Sequence, residues 1–274
     1  MRFEFMPIEI RLVRSQDDSE TYIRLPYHIY SSWKGFVPPL LKDERRFHDP
    51  KHNPALLNSE TVRFLAFLDG DAVGRVMGII SHVYNREHGE QDVRFFQFDC
   101  IDNDQVAEKL LQHVIEWGRA MGMKRMIGPF GFSEKDPQGV QIDGSKSAPV
   151  IASASNPFYI LQMIEASGFT KFKDCVSYVI DIPEKLPNSH QKIFERLTAG
   201  KYYEIVSVKK RTELKTHFKD VLLLLNEGYE NIYGFVPLSD ADIQNMADEY
   251  LDFIDPRFVK FLRKTTDQEI IAFV

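Results

Sequence analysis

The sequence predicts an α/β (α+β) protein in which helices flank a central sheet, laid out as one complete domain followed by the start of a second. Three observations carry this. Strand-like and helix-like stretches alternate from Ile8 to Ile182 in the order β, α, β, β, β, α, β, α, β. Asp69-Gly70 separates two apolar runs, a hairpin signal because such a turn needs positive φ. The chain also repeats itself: Gly35-Phe36-Val37-Pro38 returns as Gly234-Phe235-Val236-Pro237, Glu9-Ile10 as Glu204-Ile205, and the run Arg63–Leu68 as Arg257–Leu262, at offsets of 199, 195 and 194.

In order, Ile8 to Val13 reads as a strand, and Asp17 or Ser19 can cap a helix running towards Tyr30. Trp33 to Pro54 is too rich in proline and aromatics for regular structure beyond loops and short helices. Val62 to Leu68 and Ala72 to Tyr84 form the hairpin, and Val93 to Asp99 adds a third strand. Val106, Leu110, Leu111, Val114, Trp117 and Met121 share one helical face, with Asn103 or Asp104 as cap and Gly122 as stop. Arg125 to Pro129 is a short strand, and a long polar loop follows to Asn156. Phe158 to Ala166 is helical, with Asn156 as cap, and Phe169 to Ile182 closes the copy as a strand.

Domains are expected at 1–182, with a linker at 183–200 and a partial second copy at 201–274. In that copy Ile205 to Val208 is a strand, Leu214 to Tyr229 and Ile243 to Ile254 are helices, and Phe258 to Leu262 pairs with Ile270 to Val274. A terminal apolar run with no turn after it leads us to expect a truncated second copy. Its open sheet edge is expected to invite a homodimer.

With 43% hydrophobic residues the chain can bury a core in each part. A net charge of −6 and a pI near 5.8 speak against a general nucleic-acid or anionic-membrane binder. Cys100 and Cys175 form no pairing pattern, which fits a reducing cytoplasm, and each is expected to be a small buried side chain. No apolar run reaches the roughly 20 residues of a membrane span. His48 and His52 have i, i+4 spacing with Pro50 between them, so a zinc pair on one helical face is not expected, and no metal site is predicted.

The element order, the Asp69-Gly70 hairpin and the run Asn156 to Phe169 (NPFYILQMIEASGF) resemble the GNAT superfamily of acyl-CoA-dependent N-acyltransferases. The resemblance covers Ile8 to Ile182 once and Glu204 to Val274 in part, as in bacterial tandem GNAT-like proteins. It implies a mixed, mostly antiparallel sheet and the transfer of an acyl group, with acetyl-CoA or another acyl-CoA as donor, to an amine. Two of the family's usual parts are replaced. Where a glycine-rich loop would hold the CoA pyrophosphate, this chain has Phe98 to Asp104, with Asp99, Asp102 and Asp104 and no glycine. Arg119-x-x-Gly122-x-Lys124 imitates that loop at the wrong end of its helix. Where a tyrosine would protonate the leaving thiolate, this chain has Ile164.

Tyr159, on the same helix, and Asp99 are the candidate catalytic groups; a half-buried tyrosine and a solvated acidic turn are the plainer readings of each. The loop Gly128 to Asn156, with Ser133, Asp136, Gln138, Asp143 and Lys146, lies where the family's sheet opens. With Trp33, Phe36, Asn156 and Tyr159 it can line a pocket for a small molecule, or cover a packed aromatic cluster. Two functions therefore stay open: an N-acyltransferase, and a non-catalytic ligand-binding or protein-interaction module on the same fold.

Overall fold

The computed structural model describes residues 7–144, 149–150, 153–200 and 202–274, without the side chains of 248–250. Two units separate, Met1–Ser177 and Tyr178–Val274. In the first, strands β1 (Glu9–Leu12), β2 (Ser59–Leu68), β3 (Asp71–Ser81), β4 (Asp92–Cys100) and β5 (Arg125–Ile127) lie in that spatial order. The first three pairings are antiparallel and β4–β5 is parallel, giving the mixed, mostly antiparallel sheet expected. The Asp69-Gly70 turn has φ of 56° and 88°, as a two-residue hairpin with the sheet's twist requires.

Helices α1 (Gln16–Ile29) and α2 (Leu41–Phe47) cover one face, where Tyr22, Leu25, Leu65, Met77, Ile79 and Phe96 pack together. The other face packs against α4 (Asp104–Ala120) and α5 (Phe158–Ala166), through Val76, Ile80, Phe95, Leu110, Val114 and Met163. Gly74 permits this approach: a Cβ there would lie 2.8 Å from Leu110 Cδ1. Ile164 is part of this core.

Several local expectations are corrected. The cap of α1 is Ser15, in a reciprocal box with Asp18. β3 stops at Ser81, whose hydroxyl accepts from Tyr84 N–H and starts helix α3 (His82–His88), so the apolar run through Tyr84 changes from strand to helix. Asn156 does not cap α5, because its side chain accepts from Gln141 N–H at 2.7 Å. The run from Phe169 to Ile182 is not a strand. It is rich in β-branched and aromatic residues, but no ladder pairs with them; Tyr178, Ile180 and Ile182 are exposed. Cys175, on this run, is exposed rather than buried.

The second unit opens with α6 (Asn188–Ala199) and has β6 (Tyr203–Ser207), α7 (Arg211–Tyr229), α8 (Asp240–Tyr250), β7 (Lys260–Lys264) and β8 (Ile270–Phe273), with its antiparallel sheet in the order β6-β7-β8. It repeats β1 to β3 of the first unit element for element. In both units a helix runs into the Gly-Phe-Val-Pro loop, a second helix follows, and a proline-led 3-10 turn (Pro54–Leu57, Pro256–Phe258) precedes the hairpin.

The strand match needs correction. Ile10 pairs with Ala66 and Ile205 with Leu262, so β2 corresponds to β7 at a shift of two residues from the sequence match. Arg257 belongs to the 3-10 turn rather than to a strand. Register follows which face is buried, not a local string.

Candidate functional site

The site forms where β4 outruns β5. Only Asp92, Val93 and Arg94 pair with β5, and Phe130 N–H to Phe95 O, at 2.8 Å, is the last link. Just beyond, Gln97 and Phe98 together face Val76 in a bulge, with Gln97 at a φ of 45°. Such a bulge re-aims the side chains that follow it. It places Asp99 opposite Arg75 of β3.

Arg75 is 4% exposed. Its Nε donates to Asp99 Oδ2 at 2.7 Å, its Nη1 donates to Tyr22 O at 2.9 Å, and the Glu44 carboxylate lies 3.6 Å away. Gln97 Nε2 donates to the same Glu44 oxygen at 3.2 Å. Arg75 thus stands between two carboxylates, and Arg63 lies over the same Tyr22 ring at 5.5 Å, so the two cations balance the two carboxylates when both are ionised. Burial pushes the Glu44 carboxyl up, against the pull of Arg75. His48 stacks its edge on Tyr22 and is driven down to about 3 by burial and by Arg63 and Arg75. Tyr22 Oη is buried without a hydrogen-bond partner.

Towards the loop after α1, Tyr30 packs on Trp33 and Phe36 at centroid distances of 5.9 and 5.7 Å and lies beside Asp99 and Tyr159. Tyr159 Oη donates to Cys100 O at 3.0 Å. Burial raises both phenols, so each stays protonated at neutral pH. Ser155 Oγ reaches Gly35 O at 3.4 Å and ties the long loop to this corner.

Of the residues singled out from sequence, Asp99, Tyr159, Trp33 and Phe36 therefore meet around Tyr30. Ser133 and Asp136 do not join them. Asp136 accepts from Phe132 and Ser133 N–H at 2.7 and 3.3 Å and closes its own turn, while Asn156 holds Gln141 and Gln138 is half-buried. Lys146 lies outside the described residues. The sequence reading missed Tyr30, Glu44, Arg75 and Gln97. Arg75 had a signal: it is a charge inside the apolar run Ala72 to Ser81. His52 pairs with Asp49 at 2.9 Å, and no metal-binding cluster occurs among the described residues.

The start of α4 does not fit a pyrophosphate. Asn103 Oδ1 already accepts from Gln105 and Val106 N–H at 3.0 and 3.2 Å, and Asp102 and Asp104 flank it. The amides that would grip a phosphate are occupied, and the nearby charge is repulsive. No described helix is long and apolar enough to cross a membrane.

No protein-family model matches the chain. It is 25% identical over 254 residues to the bacterial ceramide synthase of Caulobacter vibrioides and 22% identical over 242 residues to protein YghO of Escherichia coli. These alignments take in 91% and 88% of the chain but 65% and 61% of the relatives, so the chain spans less than two thirds of their length. Among solved structures, glucosamine-6-phosphate N-acetyltransferase from Arabidopsis thaliana covers 64% of the chain with 99% of its own, at 11% identity and a TM-score of 0.38. The chain is also similar to a tandem GNAT protein from the clavulanic acid biosynthesis pathway, over 97% of this chain and 73% of that one, at 11% identity and a TM-score of 0.48.

Proposed function

We propose that this chain serves the transfer of an acyl group to an amine, and that its first unit holds the amine. The observation that carries this reading is the Glu44–Arg75–Asp99 set at the end of β4, with the Tyr30 and Tyr159 hydroxyls beside it and the carboxylates of Asp102 and Asp104 just after it in the chain. A carboxylate backed by aromatic walls draws an alkylammonium and orients its hydrogens. Asp102 and Asp104 strengthen the same field and oppose a polyphosphate. Asp99 is the carboxylate placed to hold the ammonium nitrogen.

The relative named a ceramide synthase supports a finer reading. Ceramide formation joins a fatty acyl group to a long-chain amino alcohol, so the acceptor proposed here is such an amino alcohol. The self-capped start of α4 supports a second reading, in which the first unit binds this ligand without catalysing transfer.

The test is calorimetric titration of the chain with sphinganine and, separately, with acetyl-CoA. Sphinganine should bind saturably and lose at least about tenfold in affinity in Asp99→Asn. Acetyl-CoA should not bind. Binding of acetyl-CoA without binding of the amine would overturn the reading.

A further inference from the structure

The oxygen of Tyr159 is placed to read a feature of the acceptor that a bare amine lacks. Cys100 lies opposite Gly74 of β3, and the next residue, Ile101, donates its N–H to Val73 O at 3.0 Å. Alternation along an antiparallel pair therefore turns the Cys100 carbonyl away from β3, towards the side where β5 has already ended. That carbonyl lines the opening, and Tyr159 Oη donates to it at 3.0 Å. Helix α5 sets the ring there: Ile160, Met163 and Ile164 are buried in the core, while Tyr159 is half-buried at the helix start.

A phenol has one proton and an accepting oxygen. Tyr159 spends its proton on Cys100 O, so towards a ligand it can only accept. The group it meets must therefore be a donor. Asp99 is the chain neighbour of Cys100, its Oδ2 is taken by Arg75 at 2.7 Å, and Tyr30 lies beside both Asp99 and Tyr159. The end of β4 thus presents a carboxylate from one face of the sheet and a phenol oxygen from the other, two acceptors of unequal charge. The ammonium goes to the carboxylate, which holds a cation more strongly than a neutral oxygen does. What is left for Tyr159 is a neutral donor close to the ammonium on the same ligand.

We infer that Tyr159 is a specificity residue whose oxygen accepts from a hydroxyl next to the ammonium of the acceptor, so that the site selects an amino alcohol over a plain amine. The inference rests on the amine reading for the ammonium, while the hydroxyl follows from the spent proton of Tyr159.

Calorimetric titration of the full 274-residue chain with sphinganine and with octadecylamine, which has the same chain length and no hydroxyl, tests it. Sphinganine should bind about tenfold more tightly, the worth of one well-placed hydrogen bond. Tyr159→Phe, which keeps the ring and removes the oxygen, should abolish that difference by weakening sphinganine alone. Asp99→Asn should weaken both amines. Equal affinities in the parent chain would overturn the hydroxyl assignment and leave the amine reading standing. A Tyr159→Phe chain that still prefers sphinganine, or that loses both ligands alike, would overturn it too, the second because the bond to Cys100 would then be structural. Binding of neither amine would overturn both.

Discussion

The first and second units share a scaffold and differ in what they bury between its layers. Around Arg75 the first unit holds two carboxylates, a histidine and a glutamine; at the matching place the second holds Phe273, Ile243, Ala247 and Val221. Since the second unit builds the same strands and helices from apolar residues, the fold does not require the charged set. Burying such a set costs desolvation that hydrophobic residues would avoid. Its presence at the mouth beside β4 is therefore not explained by packing, and the proposed amine site would account for it.

The largest effect tests this directly. Arg75→Met leaves the half-buried Glu44 and Asp99 without their cation and should cost about 3 kcal/mol of unfolding free energy. Replacing the set together, with Glu44→Ile, Arg75→Phe and Asp99→Leu, should be neutral or stabilising while abolishing amine binding. Urea unfolding of both variants decides it. If the triple variant is as unstable as the single one, the charges are structural and the comparison between units fails.

Acid titration sharpens the comparison at the next level. The folded Glu44 pKa is raised above its usual 4.5, so native protein holds that proton over a range where unfolded chain has lost it. The stability this gives is full below pH 4.5 and is lost as pH rises through the folded value. His48 acts in the opposite sense. Its folded pKa falls from 6.5 to about 3, so its contribution is present above pH 6.5 and is lost as pH falls towards 3. Each proton changes the slope by at most about 1.4 kcal/mol per pH unit. His48→Gln should flatten the loss of stability below pH 6.5, and Glu44→Gln should remove a decline that starts above pH 4.5. Asp136 and Glu90 are raised as well and keep part of that decline, so the difference between variant and parent is the quantity to measure.

The elements of the first unit were legible where pattern and punctuation coincide. Asp69-Gly70 fixed the hairpin and the face from Val106 to Val114 fixed α4, because both rest on local geometry. The run from Phe169 to Ile182 was misread because propensity supplies a strand's residues but not its neighbour. At the site, Asp99 and Tyr159 were visible as chemistry-bearing residues near the expected opening. Arg75 showed only as a charge inside an apolar run, since its pairing with Asp99 arises from a bulge at Gln97 that no spacing rule announces.

The smallest expected effect lies in the shared loop itself. In the first unit Tyr27 Oη donates to Pro39 O; at the matching position in the second, Asn226 donates from Nδ2 to Leu238 O at 3.1 Å and accepts from Leu238 N–H at 2.8 Å. The difference follows from one residue. Proline has no N–H, so a hydroxyl donor satisfies the first loop, whereas Leu238 presents both groups and an amide matches both. With about 1 kcal/mol for each hydrogen bond, Tyr27→Phe should cost the first unit about 1 kcal/mol and Asn226→Ala should cost the second about twice that. Hydrogen exchange read separately for α1 and α7 measures each loss in its own unit. No loss in either would mean that the loops are held by their aromatic pairs, Tyr30 with Phe36 and Tyr229 with Phe235, and that the polar pins add nothing to them.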